Sequence, residues 1–227
     1  MLRRLATLLL AVTLAACGGG AEIEIGGGGG GGGTPYPLPN PNPNPATLSC
    51  SPAGLAASAA SPWGTVCMLT SSGEIVVELY DTYAPQTVAN FYRYVAAGFY
   101  TNTLIHRVDR DFVVQGGGYS PGMVVKQPLY APIRLESNNG LSNLRGTLAM
   151  ARRSDADSAT SQFFFNVADN TSLDYLSAAN PGYAVFGRII SGLNTLDAIN
   201  VVPTYTYSPT DIEPRTEVLV YWAQRLK

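Results

Sequence analysis

Eight consecutive glycines, Gly26 to Gly33, run into prolines at every second position from Pro35 to Pro45, and no packed core can be built over this part of the chain. Polyglycine is a flexible coil, whereas alternating proline favours extended polyproline II. Neither buries enough apolar surface to offset the entropy of ordering it. Of 24 glycines and 16 prolines, 11 and 6 fall within residues 18 to 45. A tether is therefore expected over residues 17–62, its Ala/Ser-rich end (46–62) continuing the linker or lying as a loose arm on a domain at 63–227. With 46% apolar residues the chain can build a core of ordinary size. Its 14 Lys and Arg against 16 Asp and Glu give a net charge of -2, which argues against a nucleic-acid partner, because such binding needs a dense basic face. The single histidine, His106, limits the chemistry further. A Ser/His/Asp triad would have to use it, and a multi-histidine metal site cannot be built. No metal or organic cofactor is implied.

Ahead of the tether, two arginines (Arg3, Arg4) precede an apolar run from Leu5 to Ala16 that is too short for a stable bilayer span. This is the pattern of an export signal. Leu14-Ala15-Ala16-Cys17 resembles the bacterial lipobox, which implies a signal peptide over 1–16, lipidation of Cys17 and a membrane anchor. The alternative is an ordinary secretory signal cleaved at an Ala-x-Ala-like site. Gly18 and Gly19 lack the acidic residue of the inner-membrane retention pattern, so the expected address is the periplasmic face of an outer membrane. Cys50 and Cys67 then remain as a pair in an oxidising compartment. Either they are bridged, or Cys67 is a small buried hydrophobe in a strand.

In the remaining sequence, Thr65–Thr70 and Glu74–Tyr80 read as a hairpin around Ser71-Ser72-Gly73, with Ile75, Val77 and Leu79 alternating onto one face. The period then changes to three and four: Val88, Phe91, Tyr92, Val95 and Ala96 mark an amphipathic helix from Pro85, ended before Gly98. Short strands are expected at 104–108, 112–114, 147–151, 163–167, 184–189 and 216–225, and a second helix at 193–199. About eight strands and two helices predict a mainly β fold: a closed antiparallel barrel with helices over its open ends.

Six segments occur in order: Ala84-Pro85-Gln86-Thr87-Val88-Ala89-Asn90-Phe91, Ile105-His106-Arg107-Val108, Phe112-Val113-Val114-Gln115-Gly116-Gly117, Gly146-Thr147-Leu148-Ala149-Met150-Ala151-Arg152, Ser161-Gln162-Phe163-Phe164-Phe165-Asn166 and Tyr183-Ala184-Val185-Phe186-Gly187. Together they resemble the cyclophilin family of peptidyl-prolyl cis-trans isomerases, over essentially all of residues 65–222, in the form found in its bacterial exported branch. The resemblance implies an eight-stranded barrel with two capping helices. It also implies acceleration of rotation about Xaa-Pro bonds, no cofactor, and as partners the proline-containing unfolded or loop segments of exported proteins. A monomer is expected.

By that resemblance Arg107 donates hydrogen bonds to the twisted prolyl amide, a task suited to a permanently charged planar fork. Gln115 would order that arginine and touch substrate. Gln162 and the backbone of Ala151 and Arg152 would bind the flanking peptide, and Phe112, Val113, Phe164, Leu173 and Tyr183 would wall the proline pocket. His106, next to Arg107 on an alternating strand, is expected on the opposite face as a buried, hydrogen-bonded histidine. Gly116 to Gly118 lacks the Lys-Ser/Thr and helix start of a phosphate loop. Four departures from the family pattern stand out: Ile105 for Phe, Val113 for Met, Ser172 for an aromatic residue, and Asp109-Arg110-Asp111 for Ile-Pro-Gly. The competing readings are a proline-peptide binding module without catalysis and a structural surface lipoprotein.

Overall fold

The computed structural model describes residues 49–227. The expected signal segment, Cys17 and the tether through residue 48 lie outside the described residues. In chain order the elements are helix α1 (Pro52–Ala60), strands β1 (Gly64–Thr70) and β2 (Gly73–Leu79), helix α2 (Pro85–Ala96), strands β3 (Thr103–Asp109) and β4 (Val113–Gly116), and a small hairpin of β5 (Tyr119–Ser120) and β6 (Val124–Val125). Strands β7 (Thr147–Met150) and β8 (Phe163–Asn166) follow, with one 3-10 turn at Thr171–Leu173, then β9 (Val185–Ser191), helix α3 (Leu193–Asn200), a hairpin of β10 (Thr204–Ser208) and β11 (Asp211–Pro214), and β12 (Val218–Arg225). Eight strands close an antiparallel barrel in the order β1-β12-β3-β4-β8-β7-β9-β2.

Side-chain alternation fills the barrel. Val66 and Met68 of β1, Ile75, Val77 and Leu79 of β2, and Phe163 and Phe165 of β8 all enter one buried cluster. In α2, Pro85 occupies the first turn, where its missing N–H has no partner to lose, and the helix buries Val88, Phe91, Tyr94 and Val95. Phe91 meets Phe163 edge-on at 5.8 Å between ring centres, so helix and barrel share one core. Leu196 and Ile199 of α3 join the same core. Both expected helices are thus present.

The third helix, α1, corrects the expected extent of the tether. Residues 50–60 are neither linker nor loose arm: Cys50 and Cys67 form a disulfide with Cα atoms 6.2 Å apart, and both are buried. Ser51 caps the helix by accepting from the Gly54 N–H at 3.1 Å, while its own N–H and hydroxyl each donate to Glu74 at 2.7 Å. Gly54 sits so close that a Cβ there would lie 2.6 Å from Cys50 Sγ. The Ala/Ser composition carries no apolar period, so it is the disulfide to β1 and the Glu74 bonds to β2 that hold the segment. Because α1 covers the outer side of β2, Val76 and Glu78 are buried although they face away from the barrel interior.

Candidate active site

Strand register builds the site as one row of side chains. Across five neighbouring strands Arg107 pairs with Gln115, Gln115 with Phe164, Phe164 with Ala149, and Ala149 with Val185. Val113, Ala149, Phe164 and Val185 form a buried apolar patch separate from the main core, with Phe112, Ala151, Leu173 and Tyr183 packed against it. A cavity of about 100 Å³ opens over this patch. Nine of the ten residues named from the sequence line it: Arg107, Phe112, Val113, Gln115, Ala151, Arg152, Phe164, Leu173 and Tyr183. The tenth, Gln162, lines two wider grooves that flank the cavity. An extended chain with one small ring seated in the cavity therefore has room to continue in both directions.

Each wall is fixed from behind. The Phe112 carbonyl accepts from the Val167 N–H at 3.0 Å and from Asn170 Nδ2 at 2.8 Å. Asn170 also donates to Asn166 Oδ1 at 2.8 Å, tying the turn after β8 to the strand. Leu173 and Tyr183 are joined by the Tyr183 N–H to Leu173 carbonyl bond at 2.9 Å. Gly182 has φ of +60°, and a Cβ there would meet the Leu173 and Asp174 backbone at 2.5 Å, so this close approach requires glycine. Burial works to raise the Asp174 pKa, but hydrogen bonds from the Ser142 hydroxyl and from the Asn143 N–H and amide outweigh it and hold the carboxyl below its usual range. Arg152 donates from Nε to the Gly182 carbonyl at 2.9 Å, and its guanidinium lies 4.8 Å from the centre of the Tyr183 ring.

Two expectations need correction. His106 does not lie opposite Arg107: the β3–β4 register shifts between Ile105 and Arg107, which makes His106 the extra residue of a bulge. Ile105 points into the core, while His106 and Arg107 both line the wider groove that contains Tyr119. Among the described residues the His106 Nδ1 is buried without a close hydrogen-bond partner, and the ring lies tilted against that of Tyr119 with centres 4.6 Å apart. Burial, aided by the Arg107 charge and opposed by the Leu104 backbone, pushes its pKa down to about 4. Second, Gln115 does not hold Arg107. Its Nε2 donates to Gln162 Oε1 at 2.9 Å, and Arg107 Nη2 instead reaches Asp109 Oδ2 at 2.6 Å. The Ala151 N–H donates to the Gln162 carbonyl at 3.0 Å, which ties the end of β7 to the residue before β8.

Sequence reasoning missed residues on the groove as well. Tyr119 and Met123 from the β5–β6 hairpin and Asp211 and Glu213 from β11 line it, yet neither hairpin belongs to the six segments that carry the resemblance. Asp109 was noticed only as a departure from a turn pattern. Its separation of two from Arg107 on one strand was the available signal, since alternate residues share a face.

Arg107 lies at the edge of this apolar cavity with its side chain 17% exposed and its Nε buried without a hydrogen-bond partner among the described residues. A fixed cation with an unused donor beside an apolar hollow can stabilise a carbonyl or amide whose electron distribution changes, without making or breaking a bond. The family model for the cyclophilin-type peptidyl-prolyl cis-trans isomerases matches residues 65–220. A peptidyl-prolyl cis-trans isomerase of Acinetobacter baylyi is 48% identical over 157 residues, which is 69% of this chain and 82% of the relative. Peptidyl-prolyl cis-trans isomerase B of Escherichia coli is 44% identical over 153 residues, 66% of this chain and 93% of that protein. Among solved structures, a cyclophilin-type isomerase of Cryptosporidium parvum, crystallised in the presence of the dipeptide Ala-Pro, superposes with a TM-score of 0.60 at 26% identity, covering 72% of this chain and 99% of that one. A closed barrel of this strand order, carrying this row of residues and matched over this length, belongs to an enzyme: the chain is a member of the cyclophilin-type peptidyl-prolyl cis-trans isomerases.

Proposed function

We propose that this protein speeds Xaa-Pro rotation in exported proteins, assisting their folding from a lipid anchor on Cys17, as a monomer on the periplasmic face of an outer membrane. Unaided rotation meets a barrier of about 20 kcal/mol, because amide resonance is lost half-way. A catalyst needs only to bind the twisted amide better than either planar form, at about 1.4 kcal/mol per tenfold acceleration. In the proposed mechanism the proline ring enters the cavity floored by Phe164 and Val113, water leaves, and Arg107 donates to the twisted amide. Desolvation strengthens that contact. Gln115 and Gln162, hydrogen-bonded to each other, offer their remaining polar atoms to the flanking peptide.

The observation that carries the reading is the position of Arg107, a largely buried cation with a free Nε at the mouth of an apolar cavity of proline-ring size. The Cys50–Cys67 disulfide supports the exported address, since such bonds persist in oxidising compartments. Exchange NMR on an Ala-Pro peptide with the full chain tests the activity: Arg107→Ala is expected to abolish the enhancement while peptide affinity stays within a few fold. Retained turnover in that variant would refute the assignment. For the anchor, Cys17→Ser is expected to stop incorporation of labelled palmitate and release the protein from membranes.

A further inference from the structure

The catalytic role proposed for Arg107 demands that its guanidinium be aimed, and the residue expected to aim it is occupied elsewhere. Gln115 sits directly across the β3–β4 ladder from Arg107 but donates to Gln162. Among the described residues the one ion pair made by Arg107 is with Asp109, at 2.6 Å from Nη2, and both side chains are largely buried, 17% and 23% exposed. Two residues apart on β3 and beyond the His106 bulge, they share the outer face of the strand.

Asp109 itself cannot drift. The Phe112 N–H donates to its carbonyl at 3.0 Å, closing the turn that follows β3. Asp111 in that turn has φ of +59°, a left-handed conformation that aspartate tolerates better than most side chains. Asn200 of α3 clamps it reciprocally, accepting the Asp111 N–H at 2.9 Å and donating to its carboxylate at 3.0 Å. On the far side the Phe112 ring centre lies 5.9 Å from the Arg107 Cζ. A planar fork gripped at Nη2 by a carboxylate has its remaining donors fixed in direction. One of them, Nε, is buried and unpartnered.

We propose that Asp109 is the positioning residue of this enzyme, holding the Arg107 guanidinium by one edge so that its free donors meet the twisted prolyl amide. The proposal rests on the isomerase reading above. It assigns a function to a charged turn that the family pattern would leave as Ile-Pro-Gly.

The test measures kcat and KM separately by exchange NMR on an Ala-Pro peptide for the full chain, Asp109→Ala and Asp109→Asn, together with the Arg107 side-chain 15N signals. Asp109→Ala is expected to lower kcat by about tenfold to a hundredfold, as a misaimed group does, while KM moves by less than about twofold. Its Arg107 Nη signals should collapse to an average as the fork becomes free to rotate. Asp109→Asn keeps an acceptor oxygen and should restore most of kcat. If Asp109→Ala does not fold, Asp109→Ile keeps the bulk of the side chain and is expected to show the same kcat loss. Unchanged or raised kcat in a folded Ala or Ile variant, or an Asn variant no better than Ala, overturns the proposal. A wild-type chain that is folded but gives no acceleration sinks the isomerase reading instead.

Discussion

Two outer faces of the same barrel have opposite fates. On β1, β2 and β12 the outward residues Cys67, Val76, Tyr221 and Trp222 are sealed, with Cys50 joining them from the segment before α1. On β4, β7, β8 and β9 the outward residues Val113, Ala149, Phe164 and Val185 form an equally apolar patch that opens into a cavity. The charged groups differ in the same sense. Glu78 on the sealed side is bonded by the Ser61 hydroxyl at 2.7 Å, the Tyr80 hydroxyl at 3.2 Å and Arg188 Nε at 2.7 Å. On the open side Arg107 keeps a buried Nε without a partner among the described residues. Neutral donors do not follow this rule, since Tyr221 Oη and Trp222 Nε1 are also unpartnered. The comparison teaches that an apolar outer face is not in itself a site: Cys50 and helix α1 help to cover one, and the other is left bare beside an incompletely bonded cation.

Four changes would break or sharpen that contrast. The largest effect is expected from Phe164→Ala, which removes the floor of the open face and should lower stability by about 3–5 kcal/mol in urea unfolding and abolish peptide binding. Next, replacing both Cys50 and Cys67 by Ser should lower stability by about 3 kcal/mol, the loop-closure contribution for a separation of 17 residues, while isomerase turnover stays within a factor of two or so. A large activity loss there would mean that the two faces are coupled.

The third concerns pH. The unfolded chain takes a proton on His106 near pH 6.5 and the folded chain only near 4, so between those values the unfolded state holds the extra proton and stability falls as the solution is acidified. The loss should be on the order of 2 kcal/mol between pH 7 and 4.5, followed by urea midpoints, and His106→Gln should flatten it. An unaltered pH profile in that variant would show that His106 is not held neutral by its surroundings. Asp174 acts lower on the scale, its contribution being lost only as pH falls through its depressed pKa. The smallest effect is expected from Ser51→Ala, which deletes the α1 cap and one bond to Glu74 and should cost about 1 kcal/mol without changing turnover.

The barrel was legible because its strands alternate and helices α2 and α3 repeat every three to four residues; Ile75, Val77, Leu79, Phe91 and Val95 lie in the core as their spacing required. Helix α1 was not, since Ala-Gly-Leu-Ala-Ala-Ser-Ala-Ala has no apolar face and is held by a disulfide and by Glu74 from a distant strand. At the site, the identities of the lining residues could be read from motifs, but their relations could not. The His106 bulge depends on the register between β3 and β4, and the partner of Arg107 depends on Gln115 being taken by Gln162. The first is a tertiary fact with no trace in local spacing, whereas the second left only the two-residue separation of Arg107 and Asp109 as a signal.

The most direct test of the division between a sealed and a receiving face is amide chemical-shift mapping of the folded chain titrated with an Ala-Pro peptide. The account predicts shifts and exchange broadening at Arg107, Gln115, Phe164, Ala149 and Tyr183, with Cys67, Val76, Tyr221 and Trp222 unmoved. Perturbation centred on the α1 side, or none on the open face of a folded protein at saturating peptide, would contradict it.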